Sequence, residues 1–226
     1  MVQATKIEWV RNPDGTQGHT VNPWIGCKHN CYYCYAKKLN NRFHFVKNWE
    51  EPEYQSLWLH KIDNLKKPST IFMGSMCDLF GDWMLSGDIQ NILNHCGTFT
   101  QHKFLFLTKN SKRYREFNFP KNCWKGATIT TGVGAIFLCV RGAPKLDFVS
   151  VEPLLTEIGD YFPKTKWIIV GGLTGSKAPH SKYWVDHIIT IARNRNIPIF
   201  LKSNLKYPKV IQEFPETLIH KIQKDI

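Results

Sequence analysis

The stretch Gly26-Cys27-Lys28-His29-Asn30-Cys31-Tyr32-Tyr33-Cys34 decides how the rest of the chain is read. Its three thiols are separated by three and by two residues. Just upstream, Val21 to Ile25 is a short apolar run that predicts a strand. Downstream, Tyr35, Leu39, Phe43 and Val46 recur at helical spacing and predict a helix over 35–46. The cysteines therefore occupy a strand-to-helix turn, where a backbone can converge several ligands on one point. Three thiolates suit a soft metal or an iron–sulfur cluster. A closed zinc site wants a fourth ligand, and no second cysteine pair lies nearby; His29 or His44 would have to serve. A 4Fe–4S cluster on three thiolates instead keeps one iron open to another molecule. Spacing alone leaves both alternatives standing.

The chain has 226 residues, 42% hydrophobic and 13% aromatic, which suits one α/β domain with a sizeable core. The expected organisation is a single domain over 1–226, with a core from about 18 to 204 and a short helical tail over 205–226. No apolar run reaches the length of a membrane span, and Met1 to Lys6 carries no apolar signal segment. Seven cysteines, an odd number, argue against a secreted disulfide framework and for a reducing cytoplasm. Thirty Lys and Arg against 18 Asp and Glu give a net charge of +12, which favours a polyanionic partner, nucleic acid first. The cations are densest at Lys37-Lys38, Lys66-Lys67, Lys109 to Arg115, Arg193 to Arg195 and Lys202 to Lys209.

Apolar runs recur along the chain: 21–25, 70–73, 103–107, 127–130, 148–151, 167–170 and 198–201. Amphipathic segments at 35–46, 86–96, 111–117 and 181–195 lie between them. In the second of these Ser86 is the expected N-cap, with Ile89, Ile92, Leu93 and Cys96 on one face. In the last, Trp184, Ile188, Ile191 and Ala192 form the apolar face. Strand–helix alternation with near-continuous apolar strands predicts a parallel sheet covered on both faces. An open doubly wound sheet and a partial barrel both satisfy that pattern.

The cysteine motif, with Tyr33 just before the third thiol, resembles the cluster motif of the radical S-adenosylmethionine (SAM) superfamily. Further blocks in order, among them Thr5-Lys-Ile-Glu-Trp9, Asn22-Pro-Trp24, Ile71 to Phe80, Leu107-Thr-Lys109, Phe148 to Leu155 and Trp167 to Gly172, are similar to those of a phage-associated radical-SAM family. The resemblance runs from Thr5 to about Asn204. It implies a partial TIM-type (β/α)6 barrel and an enzyme that holds a 4Fe–4S cluster on Cys27, Cys31 and Cys34. Such an enzyme takes an electron from a donor such as flavodoxin or ferredoxin. It cleaves SAM reductively to a 5′-deoxyadenosyl radical that abstracts a hydrogen atom.

In parallel β/α folds functional groups gather at the C-terminal strand ends. All seven ends here carry polar residues or glycine. Within the resemblance, Gly74, Ser75 and Asp78 would meet the SAM amino group, Glu152 or Thr130 the ribose hydroxyls, and Gly171 and Gly172 the adenine edge. Tyr33 would lie against the adenine. Relatives carry Glu-Ser after the two glycines where this chain has Leu173-Thr174, so no acidic contact is expected there. Lys109, Arg113, Lys202 and Asn204 are substrate-binding candidates, the cations toward phosphates. Cys77 and Lys109 are the catalytic candidates. A cysteine donates a hydrogen atom in spore photoproduct lyase, a DNA-repair member of the superfamily, although a small buried packing residue is the plainer role for Cys77. Cys96, Cys123 and Cys139 read as packing residues, and His95, His102 and His180 form no ligand group. Three functions follow in order: a radical-SAM enzyme on nucleic acid for base modification or repair, the same chemistry on a small molecule or peptide, and a non-catalytic zinc or cluster module that contacts nucleic acid.

Overall fold

The computed structural model describes residues 4–140, 144–175 and 181–218. In chain order the elements are β1 (His19–Val21), β2 (Trp24–Ile25), α1 (Tyr35–Phe43), β3 (Glu53–Tyr54), α2 (Trp58–Asp63), β4 (Thr70–Met73), α3 (Ser86–Thr98) and β5 (Lys103–Thr108). They continue with β6 (Cys123–Ile129), α4 (Gly132–Val140), β7 (Phe148–Val151), β8 (Ile168–Val170), α5 (Lys182–Asn194) and β9 (Ile199–Leu201). Seven of the described strands form one parallel sheet, in the order β1-β4-β5-β6-β7-β8-β9. That order follows the chain without reversal. A doubly wound sheet reverses its order at a switch point; this sheet never does, so its class is the partial (β/α) barrel. Strands β4, β7, β8 and β9 are buried along their whole length, which explains their near-continuous apolar sequences.

The described residues divide into two compact units, one of 4–124 with 216–218, the other within Lys125–Pro215. In the first unit the run expected as a strand from Val21 to Ile25 breaks in two. Pro23 has no N–H for a ladder, and β2 leaves the main sheet to pair antiparallel with β3. The helix after the cysteines ends at Phe43 rather than Val46, because His44 turns left-handed at φ 52°. Its periodicity is as expected, but the stripe points the other way. Ala36 and Asn40 are buried, while Tyr35, Leu39 and Phe43 are exposed. Asn40 draws its own face inward by clasping the Val46 backbone at both ends, accepting from its N–H at 2.9 Å and donating to its carbonyl at 3.2 Å. The α3 core face is buried as expected, but Leu85 holds the N-cap position. The Ser86 hydroxyl accepts from Arg113 Nη2 at 3.1 Å instead. Helix α2, with Trp58 and Ile62 buried, carried too short a pattern to be predicted.

In the second unit Val185 takes the buried place on α5 expected for Trp184, beside Ile188, Ile191 and Ala192. The described part of the tail, 205–218, contains no α-helix, and the 3-10 turn Ser203–Leu205 stands at its start. It runs antiparallel beside β9: Leu201 N–H donates to Ile211 O at 2.7 Å and Glu213 N–H to Ile199 O at 3.0 Å. The Glu213 carboxylate pins this strip, accepting from Arg193 Nη1 and Nη2 at 2.8 and 2.7 Å and from Ile199 N–H at 3.1 Å. The Arg193 hydrogen bonds hold the Glu213 carboxyl below its usual range. A group lowered on folding stabilises above its unfolded value and loses that effect as pH falls through the lower folded one. Glu213→Gln should therefore cost roughly 0.5–1 kcal/mol at pH 7, a partly exposed pair being screened by water. Thermal melts of both proteins should converge toward pH 3; an equal gap at pH 7 and pH 3 would contradict this role.

Candidate functional site

The cysteine loop leaves β2 through Gly26, whose φ is 109°. A Cβ there would stand 2.8 Å from the Trp49 carbonyl oxygen, so no other residue fits. Gly26 N–H donates to Met76 O at 3.1 Å and Cys27 N–H to Trp49 O at 2.8 Å, which fixes the start of the loop. At its end Cys34 N–H donates to Cys31 O at 3.0 Å, and the Cys34 sulfur caps α1, accepting from Lys37 N–H at 3.3 Å. Cys27 and Cys34 pack beside Ala36, Val46, Trp49 and Met76, and Cys31 is half-buried. Burial pushes the Cys27 thiol up. Three soft sulfurs thus sit on one backbone turn, a donor type that suits thiolate ligation, although they are not gathered here into a ligand group. Among the described residues no three His, Cys, Asp or Glu side chains stand close enough to hold an ion.

Asp78 locks this loop to its neighbours. Its buried carboxylate takes His29 Nε2 at 2.7 Å and the N–H groups of Lys109 at 2.9 Å and Phe80 at 3.0 Å. Burial alone would raise the Asp78 carboxyl, but the His29 and Lys109 hydrogen bonds outweigh it and hold it below the usual range. Gly74 N–H donates to Val21 O at 2.9 Å. Asn22 Oδ1 receives the Ser75 hydroxyl and the Met76 N–H, each at 3.1 Å, and Tyr35 donates its hydroxyl to Ser75 O at 2.7 Å. Cys77 is buried, and desolvation raises its thiol well above the ordinary value. The Lys109 ammonium stands 5.8 Å from the Tyr33 ring centroid. Arg113 is turned inward. It donates to the carbonyls of Gly81 and Met84 at 2.5 and 3.1 Å, to Ser86 Oγ at 3.1 Å and to Glu116 at 3.1 Å. It braces a loop, and the expectation that it meets phosphates gives way to that burial.

Within the second unit the ends of β7, β8 and β9 form a compact polar group. The Lys202 ammonium pairs with the Glu152 carboxylate, so its charge is spent inside the protein rather than offered to a phosphate. Gly171 lies against both chains; a Cβ there would be 2.9 Å from Glu152 and 3.0 Å from Lys202. Asn204 clamps Gly172 at two points, accepting its N–H at 3.0 Å and donating to its carbonyl at 2.8 Å. Asn204 thus shapes the strand end. Thr130 O accepts the Leu155 N–H at 3.0 Å. Cys96 and Cys123 are buried and Cys139 half-buried, in keeping with packing. His180, and residues 141–143 of the segment between Thr131 and Lys145, lie outside the described residues.

With this geometry in hand, the family described as "Protein of unknown function (DUF5131)" matches residues 4–217. The chain belongs to that family. No curated protein matches it in sequence. Among solved structures it is similar in fold to a spore photoproduct lyase carrying a cysteine-to-serine replacement, at 11% identity and a TM-score of 0.52. The alignment covers 96% of this chain and 66% of that one, so the chain spans just under two thirds of that enzyme's length. A spore photoproduct lyase complexed with dinucleoside spore photoproduct aligns with a TM-score of 0.49, the same identity and the same coverage. The first likeness concerns the fold, and it agrees with the strand order. Among the described residues no helix is long and apolar enough to cross a membrane.

No local pattern announces the His29–Asp78 pair, whose members are 49 residues apart, nor Lys202 folding onto Glu152. Asp78→Ala should leave donors on three segments without their shared acceptor and cost roughly 1–3 kcal/mol. Asp78→Asn should recover part of the loss in chemical denaturation. A midpoint equal to wild type for Asp78→Ala would show that the anchor is dispensable.

Proposed function

We propose that this chain is a radical-SAM enzyme that acts on nucleic acid, in base modification or repair. The observation that carries the reading is the trio Cys27, Cys31 and Cys34 on one short, backbone-pinned turn between β2 and α1. Those thiolates would hold a 4Fe–4S cluster, with one iron left for SAM. When bound, the pair supplies one-electron cleavage of SAM and a 5′-deoxyadenosyl radical.

The chain's own residues do the rest. Gly74 and Ser75 present backbone and hydroxyl toward the amino group of SAM. Asp78, already committed to His29, sets the loop that carries them rather than meeting that group itself. Glu152 or Thr130 takes ribose hydroxyls, and Gly171 and Gly172 let backbone approach the adenine. In this reading Glu152 keeps Lys202 at Oε1, and its other oxygen would meet a hydroxyl. Tyr33 lies against the adenine with Lys109 over its ring. Lys109 is the one cation of the original substrate set whose ammonium is not committed to a carboxylate or buried, and it meets the substrate. Cys77 is the candidate hydrogen-atom donor, a buried thiol one residue before Asp78. The net charge of +12 supports a nucleic-acid substrate over a small molecule or peptide. A flavodoxin or ferredoxin would supply the electron.

Anaerobic purification and reconstitution test this directly. Iron and sulfide should load on the wild type, and Cys31→Ala should lose the iron. With a strong reductant and SAM, 5′-deoxyadenosine should accumulate, together with a mass change in a DNA or RNA substrate. Zinc without iron or sulfide would select the non-catalytic module. Deoxyadenosine formation with no nucleic-acid affinity would select a small-molecule or peptide substrate.

A further inference from the structure

The outward stripe of α1 is the surface that the site does not use. Tyr32 on the cysteine loop is 75% exposed; Phe43 and Phe45 are 53% and 49% exposed, with Leu39 and Tyr35 between them on the helix. Residues four apart on one helix face lie about 6 Å from each other, so Tyr35, Leu39 and Phe43 make a continuous line. The Phe43 and Phe45 rings are 5.8 Å apart at centroid and tilted by 39°. This strip is also strongly cationic. From Cys27 to Trp49 the sequence has Lys28, Lys37, Lys38, Arg42 and Lys47 and not one Asp or Glu. Lys28, Lys38, Arg42 and Lys47 are exposed. The Arg42 guanidinium lies 5.0 Å from the Phe43 ring centroid. Among the described residues Lys37 is the cation of this set with hydrogen-bond partners, Asn30 at 3.0 Å and Glu50 at 3.4 Å.

An exposed helix face this apolar is costly in water unless something covers it. The charge decides what. A strip with this excess of cations, Glu50 being the carboxylate beside Lys37, repels basic partners and attracts a polyanion, and its aromatic rings are interspersed with the cations rather than clustered apart from them. That is the combination which binds single strands: ring faces for unstacked bases, cations for the intervening phosphates. We infer that the outer face of α1, with Tyr32 and Phe45, is a binding strip for single-stranded nucleic acid leading to the cysteine loop. The inference rests on the nucleic-acid reading above and replaces Arg113 and Lys202, both spent inside the protein, as the phosphate contacts.

The test is fluorescence anisotropy with a labelled oligothymidylate and an abasic oligonucleotide of equal length. Wild type should bind the oligothymidylate more tightly. Phe43→Ala should weaken that binding about 5- to 100-fold, as expected for one lost base stack, and leave abasic binding unchanged. Lys38→Ala with Arg42→Ala should lower the slope of log K against log salt by roughly 1.4. Melting curves would show that these surface variants fold. Equal affinity of wild type for both oligonucleotides, or an unaltered Phe43→Ala, overturns the strip while leaving the enzyme reading in place if 5′-deoxyadenosine still forms. Wild type that binds no oligonucleotide overturns both the strip and the nucleic-acid half of the function. An acidic electron-transfer protein that binds this face while oligonucleotides do not would likewise overturn it.

Discussion

One buried carboxylate, Asp78, is shared by three chain segments that meet at the strand ends of the first unit. It receives the cysteine loop through His29, its own loop through Phe80 and the exit of β5 through Lys109. A buried anion is tolerated only when its oxygens are fully engaged, and these are. The consequence is positional. The loop that carries Cys27, Cys31 and Cys34 is not a free excursion; it is tied at Gly26, at Cys27 and at His29, and it ends in a helix capped by one of its own sulfurs. Thiols on such a turn are presented from a fixed backbone, which is what a ligand set requires.

The fold class was legible because the strands are long on apolar residues and short on ambiguity. Thr70–Met73 and Phe148–Val151 agree with expectation residue for residue. Periodicity could not say whether the sheet reverses, and only the pairing order settles that. Errors fell where a local pattern had two physical solutions. The stripe Tyr35-Leu39-Phe43 looks like a core face, yet the buried amide of Asn40, with its two bonds to Val46, claims the opposite face for the interior. Ser86 looks like a cap, yet Arg113 takes its hydroxyl.

At the candidate site, the residues that announce chemistry by type were readable and their partners were not. The three cysteines stand out at once; that Lys202 folds onto Glu152 and Asn204 onto Gly172 depends on the side-by-side pairing of β7, β8 and β9. Charge counting had the same blind spot. A sum of +12 says nothing about which cations are exposed. Arg113 and Lys202 are inward, and the cations around α1 face water.

The proposed function rests on three thiolates that would hold a cluster and leave one iron open to SAM. Electron paramagnetic resonance of the reduced, oxygen-free protein tests it most directly. The expected result is the signal of a reduced 4Fe–4S cluster that changes when SAM is added. A protein that takes up no iron, or a cluster whose signal SAM leaves untouched, would contradict it.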